Sequence, residues 1–248
     1  MTEARAQTKS EPFPFEHDSF YRFVMLEDPD QTADMIDRWC VDADVLGTVL
    51  VAAEGINAML CGTSTAMVKV RASFANDDRF ASLFIKTTAC TEQVFARRKV
   101  RVKRELVPLR IEGIDATRGG GRAVSPAEWT TLLDRPDVVV LDNRNSFEFE
   151  VGHFRNALDP GVNDYTDFST YVEAHLPEWE GKTIAMYCTG GIRCEKTAAW
   201  LAQRDIDVLH LEGGIVNYFL SVENPADDYH GDCFVFDTRR SISPPPGQ

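Results

Sequence analysis

The chain has 248 residues, of which 44% are hydrophobic and 26% charged, and its formal net charge is −13. This length fits one large domain or two small ones. No apolar run approaches the roughly 18 residues that a membrane helix needs, and the polar N-terminus lacks the apolar core of a signal peptide. We therefore expect a cytoplasmic protein without a membrane partner, and the charge argues against nucleic-acid binding by the surface as a whole.

Six cysteines are scattered along the chain, and none of them forms a Cys-x-x-Cys pair. Because structural zinc sites usually contain such a pair, we predict no metal site. In a reducing compartment these residues would be free thiols, most of them buried. They are Cys40, Cys61, Cys90, Cys188, Cys194 and Cys233.

The first half of the chain predicts a small α/β domain after a flexible arm, residues 1–17. An aromatic strand and an amphipathic helix are followed by two strands bent around residues 54–57. A second helix starts at Ser64, which is a good N-cap, and more strand segments follow. The order β-α-β-β-α-β predicts a ferredoxin-like split βαβ domain over residues 18–111. Glu54 is interpreted as a turn residue, with a place at a domain interface as the alternative.

The second half predicts a parallel sheet. Residues 112–125 contain three consecutive glycines and are interpreted as a linker. Ser125 is expected to cap a helix that starts at Pro126. Apolar strands without alternation then alternate with helices over residues 126–228, as in a sheet covered by helices on both faces. Residues 229–248 are predicted to be a C-terminal segment ending in a disordered proline-rich tail.

The stretch TIAMYCTGGIRCEK places Cys188 where an apolar strand ends and a helix is about to begin. Ligands bind beyond the carboxyl ends of strands in open α/β sheets, and the first amides of a helix are free to bind an anion. Two glycines between these elements allow the amides to curl around one point, and Arg193 adds a cation. This environment favours a thiolate, which is the nucleophilic form of cysteine. The predicted catalytic pair is Cys188 and Arg193, and the loop around them comprises Thr189, Gly190, Gly191, Ile192 and Cys194.

The alternative is a buried thiol that merely ends a strand. We favour the functional interpretation because a strand end, a double glycine, an arginine and a helix coincide. The spacing Cys-x4-Arg is one residue shorter than the Cys-x5-Arg of cysteine phosphatases, so the loop suits sulfur or another small electrophile better than phosphate. Cys194 is either a packed helix-start thiol or a partner for a disulfide with Cys188.

Three segments resemble the rhodanese fold: residues 138–158, 186–201 and 210–219. In rhodaneses a cysteine that aligns with Cys188 forms a persulfide. The Asp-x-Arg step after a core strand is structural in that family, and the resemblance assigns this supporting role to Asp142 and Arg144.

Further motifs resemble one subgroup, the rhodanese-like tRNA uridine hydroxylases, formerly called rhodanese-related sulfurtransferases. They are CTGGIRCEK, VAAEGIN, VFARRKVRVKREL, SPAEW and GDCFVFDTRR, within roughly residues 18–240. This family converts the wobble uridine of certain tRNAs to 5-hydroxyuridine in an oxygen-dependent reaction. The resemblance implies an acylphosphatase-like N-terminal domain, the tRNA anticodon loop as partner, and molecular oxygen as co-substrate. No cofactor is evident and DNA is not an expected partner. The sequence matches a short form without the Cys-rich C-terminal extension of many members.

Residues 97–104, RRKVRVKR, carry six cations in eight positions. Strand alternation places the cations at positions 99, 101 and 103 on one face and the two valines on the other. The alternative is a solvated edge strand protected against aggregation. The family resemblance favours tRNA binding by Arg97, Arg98, Lys99, Arg101, Lys103 and Arg104.

Three functions remain for the Cys188 loop at this point. The first is hydroxylation of the wobble uridine, in which the thiolate would add to C6 of the uracil ring. The second is a plain sulfurtransferase that works through a persulfide on the same cysteine. The third is a binding module without turnover, which the intact pair of Cys188 and Arg193 disfavours.

Overall fold

The computed structural model describes residues 13–246, which form two five-stranded sheets with separate hydrophobic cores. The first sheet has the order β4-β1-β3-β2-β5, and its strands are antiparallel except for β2 and β5. Its elements are β1 (Phe15–Phe23), α1 (Pro29–Ala43), β2 (Leu46–Ala52), β3 (Gly55–Thr63), α2 (Ser64–Ala75), β4 (Lys86–Cys90) and β5 (Arg98–Val102). The predicted ferredoxin-like domain is confirmed, and β5 adds a fifth strand at its edge.

The alternation along β1 shows how this domain is layered. Asp18 and Phe20 point towards the two helices, where Phe20 packs edge-to-face on Phe74 and Asp18 accepts hydrogen bonds from Arg71. The intervening residues, such as Tyr21, point to the opposite face. Tyr21 there contacts the second domain. One face of the sheet therefore builds the core of the first domain, and the other face forms the interface.

The second sheet is parallel throughout, with the order β6-β11-β10-β7-β9. Its strands are β6 (Arg122–Val124), β7 (Val138–Asp142), β9 (Ala157–Leu158), β10 (Thr183–Tyr187) and β11 (Val208–Leu211). Its helices are α3 (Pro126–Leu132), α4 (Ser146–Val151), α5 (Phe168–His175), α6 (Ile192–Ala202) and α7 (Gly214–Ser221). Small antiparallel pairs involve β8 (Gly152–Phe154), β12 (Tyr229–Gly231), β13 (Cys233–Phe234) and β14 (Ser241–Ile242).

Successive residues of β10 enter different cores, which explains its continuous apolar pattern. Ile184 and Met186 pack in the core that includes Trp200 of α6, whereas Ala185 and Tyr187 pack in the core that includes Trp129 of α3. The parallel sheet with helices on both faces is as predicted. Within residues 13–246, no helix is both long and apolar enough to cross a membrane.

Two predicted boundaries differ from the structure. Strand β1 begins at Phe15, so the last residues of the predicted arm belong to the sheet, while residues 1–12 lie outside the described part of the chain. The predicted linker ends in β6, which pairs with β11. Two of its glycines serve close packing, because a Cβ on Gly120 would lie 2.5 Å from the carbonyl oxygen of Ala198 and one on Gly121 would lie 2.6 Å from that of Val208. A glycine run signals both a flexible linker and a close approach of two backbones, and only the fold distinguishes them.

The C-terminal segment contains strands that the sequence did not predict. Its residues 229–242 are ordered as β12, β13 and β14, since β12 pairs with β8 and buries Tyr229. Residues 243–246 contain neither helix nor strand, and the predicted disorder of residues 247–248 lies outside the described part of the chain.

A buried lysine joins the two domains. Lys196 of α6 donates to Glu54 at 2.9 Å and to Glu105 at 2.7 Å, and only 2% of its side chain is exposed. Both glutamates come from the first half of the chain, so the interface position considered for Glu54 is the one it occupies. Ile192 of α6 adds an apolar contact with Ala52 and Leu106 beside this ion triad.

We predict that Lys196→Met lowers the free energy of unfolding by about 2 kcal/mol, less than a fully buried pair would lose because both glutamates keep some access to water. Urea unfolding monitored by fluorescence measures this loss. The matched control is Lys182→Met, which changes an exposed lysine. Equal stability of the two variants would contradict a stabilising role for the triad.

Candidate active site

Cys188 directly follows β10 at the carboxyl end of the parallel sheet, and α6 begins four residues later. Gly191 has a φ of +102°, a left-handed conformation that suits glycine, and its amide donates to the Cys188 sulfur at 3.1 Å. The start of α7 holds the loop from the other side, since the Ile215 amide donates to the carbonyl of Cys188 at 3.0 Å. The sequence thus folds into an amide cradle around one sulfur atom.

This cradle makes Cys188 an acidic thiol. Complete burial opposes ionisation, but hydrogen bonds from the Cys194 thiol and from the amides of Cys194 and Gly191 favour the thiolate, as does the charge of Arg193. Together they lower the pKa of Cys188 to about 5. At neutral pH the residue is therefore a thiolate and a competent nucleophile.

The hydrogen bonds of the Arg193 guanidinium go to Glu148 and Thr189, so this cation does not itself close the cradle around the Cys188 sulfur. It donates to both carboxylate oxygens of Glu148, at 2.7 and 2.9 Å. Glu148 lies on α4 and is fully buried, and this pairing is a bidentate one. Arg193 therefore acts on Cys188 through its nearby charge, while its hydrogen bonds fix the loop to α4. The carboxylate partner was missed in the sequence because it lies 45 residues away.

Cys194 is a buried free thiol beside Cys188, and both residues are reduced in this structure. Burial and the neighbouring Cys188 thiolate raise the pKa of Cys194 well above its usual value. It therefore keeps its proton and donates it in a hydrogen bond to Cys188. This geometry corresponds to the packed helix-start thiol of the two interpretations.

Asp142 and Arg144 form a fully buried ion pair with distances of 2.6 to 3.1 Å. Arg144 also donates to the carbonyl of Gly152 at 2.7 Å. The pair thereby fixes the segment that connects β7 to α4, on which Glu148 lies. The Thr189 hydroxyl of the cysteine loop also donates to a carboxylate oxygen of Glu148, at 3.4 Å.

The first domain contributes two further side chains to this site. Lys86 of β4 donates to the carbonyl of Gly190 at 3.0 Å, and the Tyr21 hydroxyl donates to Glu195 at 2.6 Å. Both residues belong to the sheet face opposite the helices. Neither was predicted as a site residue. A lone lysine within the apolar stretch LFIKTTAC was the available signal for Lys86, but pairing it with a loop 104 residues away requires the fold.

A cavity of about 420 Å³ lies where the two domains and the C-terminal segment meet. Its lining includes Tyr21, Lys86, Cys188, Thr189, Arg193 and Phe236. This volume falls within the range of small-molecule sites. Within residues 13–246, no group of three or more His, Cys, Asp or Glu side chains is arranged to hold a metal ion.

The basic strand β5 forms the edge of the sheet that walls this cavity. Residues directly opposite each other on neighbouring strands share a face, and Arg101 continues the row formed by Tyr21, Asn57 and Leu50. Those three residues line the cavity. Lys99 occupies the next row on the same face, whereas Val100 packs into the core. β5 lies three strand spacings, about 14 Å, from β1.

The other predicted cations of this region differ in their surroundings. Arg98 donates to Asp37 of α1 at 2.7 Å, so its charge is largely neutralised. Arg97 is exposed just before β5, and Lys103 and Arg104 are exposed just after it.

The comparisons with known proteins agree with this architecture. Residues 15–106 match the UPF0176 acylphosphatase-like domain, and residues 125–220 match the rhodanese-like domain. A tRNA uridine(34) hydroxylase of Mesorhizobium japonicum is 38% identical over 91% of this chain and 73% of the relative. One of Synechococcus elongatus is 39% identical over 90% of this chain and 84% of the relative. The chain belongs to the tRNA uridine(34) hydroxylase family.

Among solved structures, a rhodanese-related protein of Thermoplasma volcanium is 23% identical. The match covers 40% of this chain and 91% of the other, with a TM-score of 0.29. A Rhodopseudomonas palustris protein of unknown function, described as a possible tyrosine phosphatase, is 25% identical. It covers 38% of this chain and 76% of its own length, with a TM-score of 0.31.

We predict that iodoacetamide alkylates Cys188 at a rate that is constant above pH 6 and falls about tenfold per unit below pH 5, because only the thiolate reacts. Cys194→Ala removes a hydrogen bond to the thiolate and should raise the midpoint by about one unit, whereas Cys194→Ser keeps a donor. Peptide mass spectrometry measures both midpoints.

The control is Cys188→Ser, which reports alkylation of the other cysteines. We expect little reaction there, because burial raises the thiol pKa of Cys40 and Cys233 to about 12. A wild-type midpoint near pH 8.5, the value of an ordinary thiol, would contradict the cradle.

Proposed function

We propose that this chain hydroxylates the wobble uridine of tRNA to 5-hydroxyuridine, with molecular oxygen as co-substrate and Cys188 as the reactive group. The observation that carries this proposal is the low-pKa thiol at the wall of the inter-domain cavity, in a member of the tRNA uridine(34) hydroxylase family. A tRNA-modifying enzyme would act in the cytoplasm.

The cavity is large enough for a single flipped nucleotide, which is how enzymes reach a base atom that stacking would otherwise hide. In the proposed reaction the Cys188 thiolate adds to C6 of uracil, which makes C5 electron-rich. C5 then attacks one oxygen of a peroxide that an external two-electron donor forms from molecular oxygen. The O–O bond breaks, and the other oxygen leaves as water. Loss of the C5 proton and of the cysteine sulfur restores the double bond and releases 5-hydroxyuridine.

The basic strand would bind the RNA backbone around the inserted base. Lys99 and Arg101 lie on the sheet face that continues into the cavity, about 14 Å from β1. Lys103 and Arg104 extend this positive surface beyond the end of β5. The acidic remainder of the chain would keep RNA from docking elsewhere. These features support the anticodon loop as the bound part of the tRNA.

A cellular test decides the reaction. We expect a strain without this gene to lack 5-hydroxyuridine and its derivatives in tRNA, because the chain belongs to the tRNA uridine(34) hydroxylase family. Wild-type protein should restore them and Cys188→Ser should not, as measured by nucleoside mass spectrometry. Normal modification in the deletion strain would refute the proposed reaction.

The basic strand has its own test. Replacing Lys99, Arg101 and Lys103 with alanine should weaken binding of an anticodon stem-loop RNA and reduce the slope of log affinity against log salt by about 2, because fewer counterions are released. Fluorescence anisotropy at several salt concentrations measures the slope. The control replaces three cations elsewhere, Lys69, Arg135 and Lys182. An unchanged slope in the first variant would remove β5 from the RNA interface.

The second candidate is a sulfurtransferase that works through a Cys188 persulfide. The match to the rhodanese-like domain and the amide donors around the sulfur favour it. Mass spectrometry after treatment with thiosulfate would show one added sulfur atom on the wild type and none on Cys188→Ser.

A further inference from the structure

We propose that Lys86 is the catalytic cation of the cavity, whose ammonium group contacts O4 of the bound uracil and stabilises the negative charge that forms there when Cys188 attacks C6. This inference rests on the proposed function and extends it, since it assigns a hydrogen-bond and proton donor that the first domain contributes to the rhodanese-like loop.

The position of Lys86 is unusual for a lysine. It lies on the edge strand β4, yet its residue is only 3% exposed. Its side chain crosses the domain interface, reaches the carbonyl of Gly190 and lies between the rings of Tyr21 and Phe84, at 5.4 and 5.5 Å from their centroids. It also lines the cavity together with Cys188.

The Lys86 ammonium group has N–H donors that remain available for a ligand. A lysine has three N–H donors, and Gly190 takes one of them. In the described part of the chain, no carboxylate lies within 4.0 Å of the Lys86 nitrogen, and the nearby Glu195 is held by Tyr21. Burying an ammonium group without a partner carboxylate is costly, and groups of this kind concentrate at functional sites.

The other cations on the cavity wall are already engaged. Arg193 is bound to Glu148 through both of its terminal nitrogens, and Arg239 is bound to Asp237. Burial lowers the pKa of His17 to about 4, so this ring is neutral at pH 7. Among the described residues that line the cavity, Lys86 is thus the cation that is available to donate a hydrogen bond to a bound molecule.

The chemistry requires such a group. When the sulfur–C6 bond forms, the C5–C6 π bond breaks and its electron pair moves through C4 to O4, which gives an enolate. Lys86 donates a hydrogen bond to this oxygen, and a proton transferred to O4 returns to the nitrogen when the enolate carbon reacts. Preorganised donors at a developing oxyanion are among the strongest contributions to catalysis.

Three groups from separate elements face Lys86 and set its protonation: Cys188 after β10, Glu195 on α6 and Tyr21 on β1. Burial lowers the pKa of Lys86 to about 8, although the charges of Cys188 and Glu195 oppose this shift. The pKa of Tyr21 is raised well above its usual value by burial, so this phenol stays neutral. Lys86 is consequently charged at pH 7 and loses its proton as the pH rises through 8.

The test uses an anticodon stem-loop RNA with 5-fluorouridine at the wobble position, which would be trapped as a covalent adduct on Cys188. At saturating RNA, we expect Lys86→Met to slow adduct formation by about 100-fold. Lys86→Arg should keep part of the rate. With the same RNA carrying ordinary uridine, whose ring ionises at higher pH than 5-fluorouracil, the wild-type rate of 5-hydroxyuridine formation should fall above pH 8, and this limb should be absent in both variants. The control is Lys69→Met, an exposed lysine of the same domain.

Two companion measurements exclude a merely structural role for Lys86. Thermal unfolding reports whether each variant folds, and iodoacetamide alkylation at pH 8 reports whether the Cys188 thiolate is intact and accessible. An adduct rate for Lys86→Met within threefold of wild type, or an equal loss of alkylation and adduct, would overturn the inference. If wild type forms no adduct at all, attack at C6 is wrong and the role of Lys86 is wrong with it. If the adduct forms at the same rate in wild type and in the Lys86 variants, only the role of Lys86 is wrong and the proposed function stands.

Discussion

The whole site depends on keeping a buried thiolate at the end of β10. Burying an anion is unfavourable, and here the Gly191 and Cys194 amides, the Cys194 thiol and the charge of Arg193 compensate for the lost water. Each donor is set by the turn into α6, and α7 holds that turn in place. A cysteine elsewhere in this chain lacks the arrangement, since burial raises the pKa of Cys40 and Cys233 instead.

Because the two domains pack together, the rhodanese-like loop contacts side chains of the first domain that its own domain does not contain. Lys196 with its two glutamates and the apolar contact of Ile192 fix α6 against the first domain. The same interface brings Tyr21 and Lys86 over the loop. Stability and chemistry thus use neighbouring parts of one interface, and the motif CEK contributes to both through Cys194 and Lys196.

Much of this could be predicted from local sequence. The strand that ends at Cys188, the helix after it and the Ser125 cap follow from patterns within about ten residues, and the structure has them. The features that the sequence did not predict share one origin. The glycines before β6, the ordered C-terminal strands and the Glu148 partner of Arg193 all depend on what another segment brings into contact. Such long-range pairings leave no periodic signal in a single sequence.

The sequence by itself determined the two α/β patterns, the reactive-cysteine loop, the cationic strand and the family. Those features are local: they depend on side-chain alternation, helix capping and short motifs. Only the tertiary structure decided that Arg193 is engaged by Glu148, that Cys194 is a donor, and that Lys86 reaches the loop. The reason is physical. The sign and size of an electrostatic effect depend on distance and burial, and folding alone fixes both across 45 or 104 residues of chain.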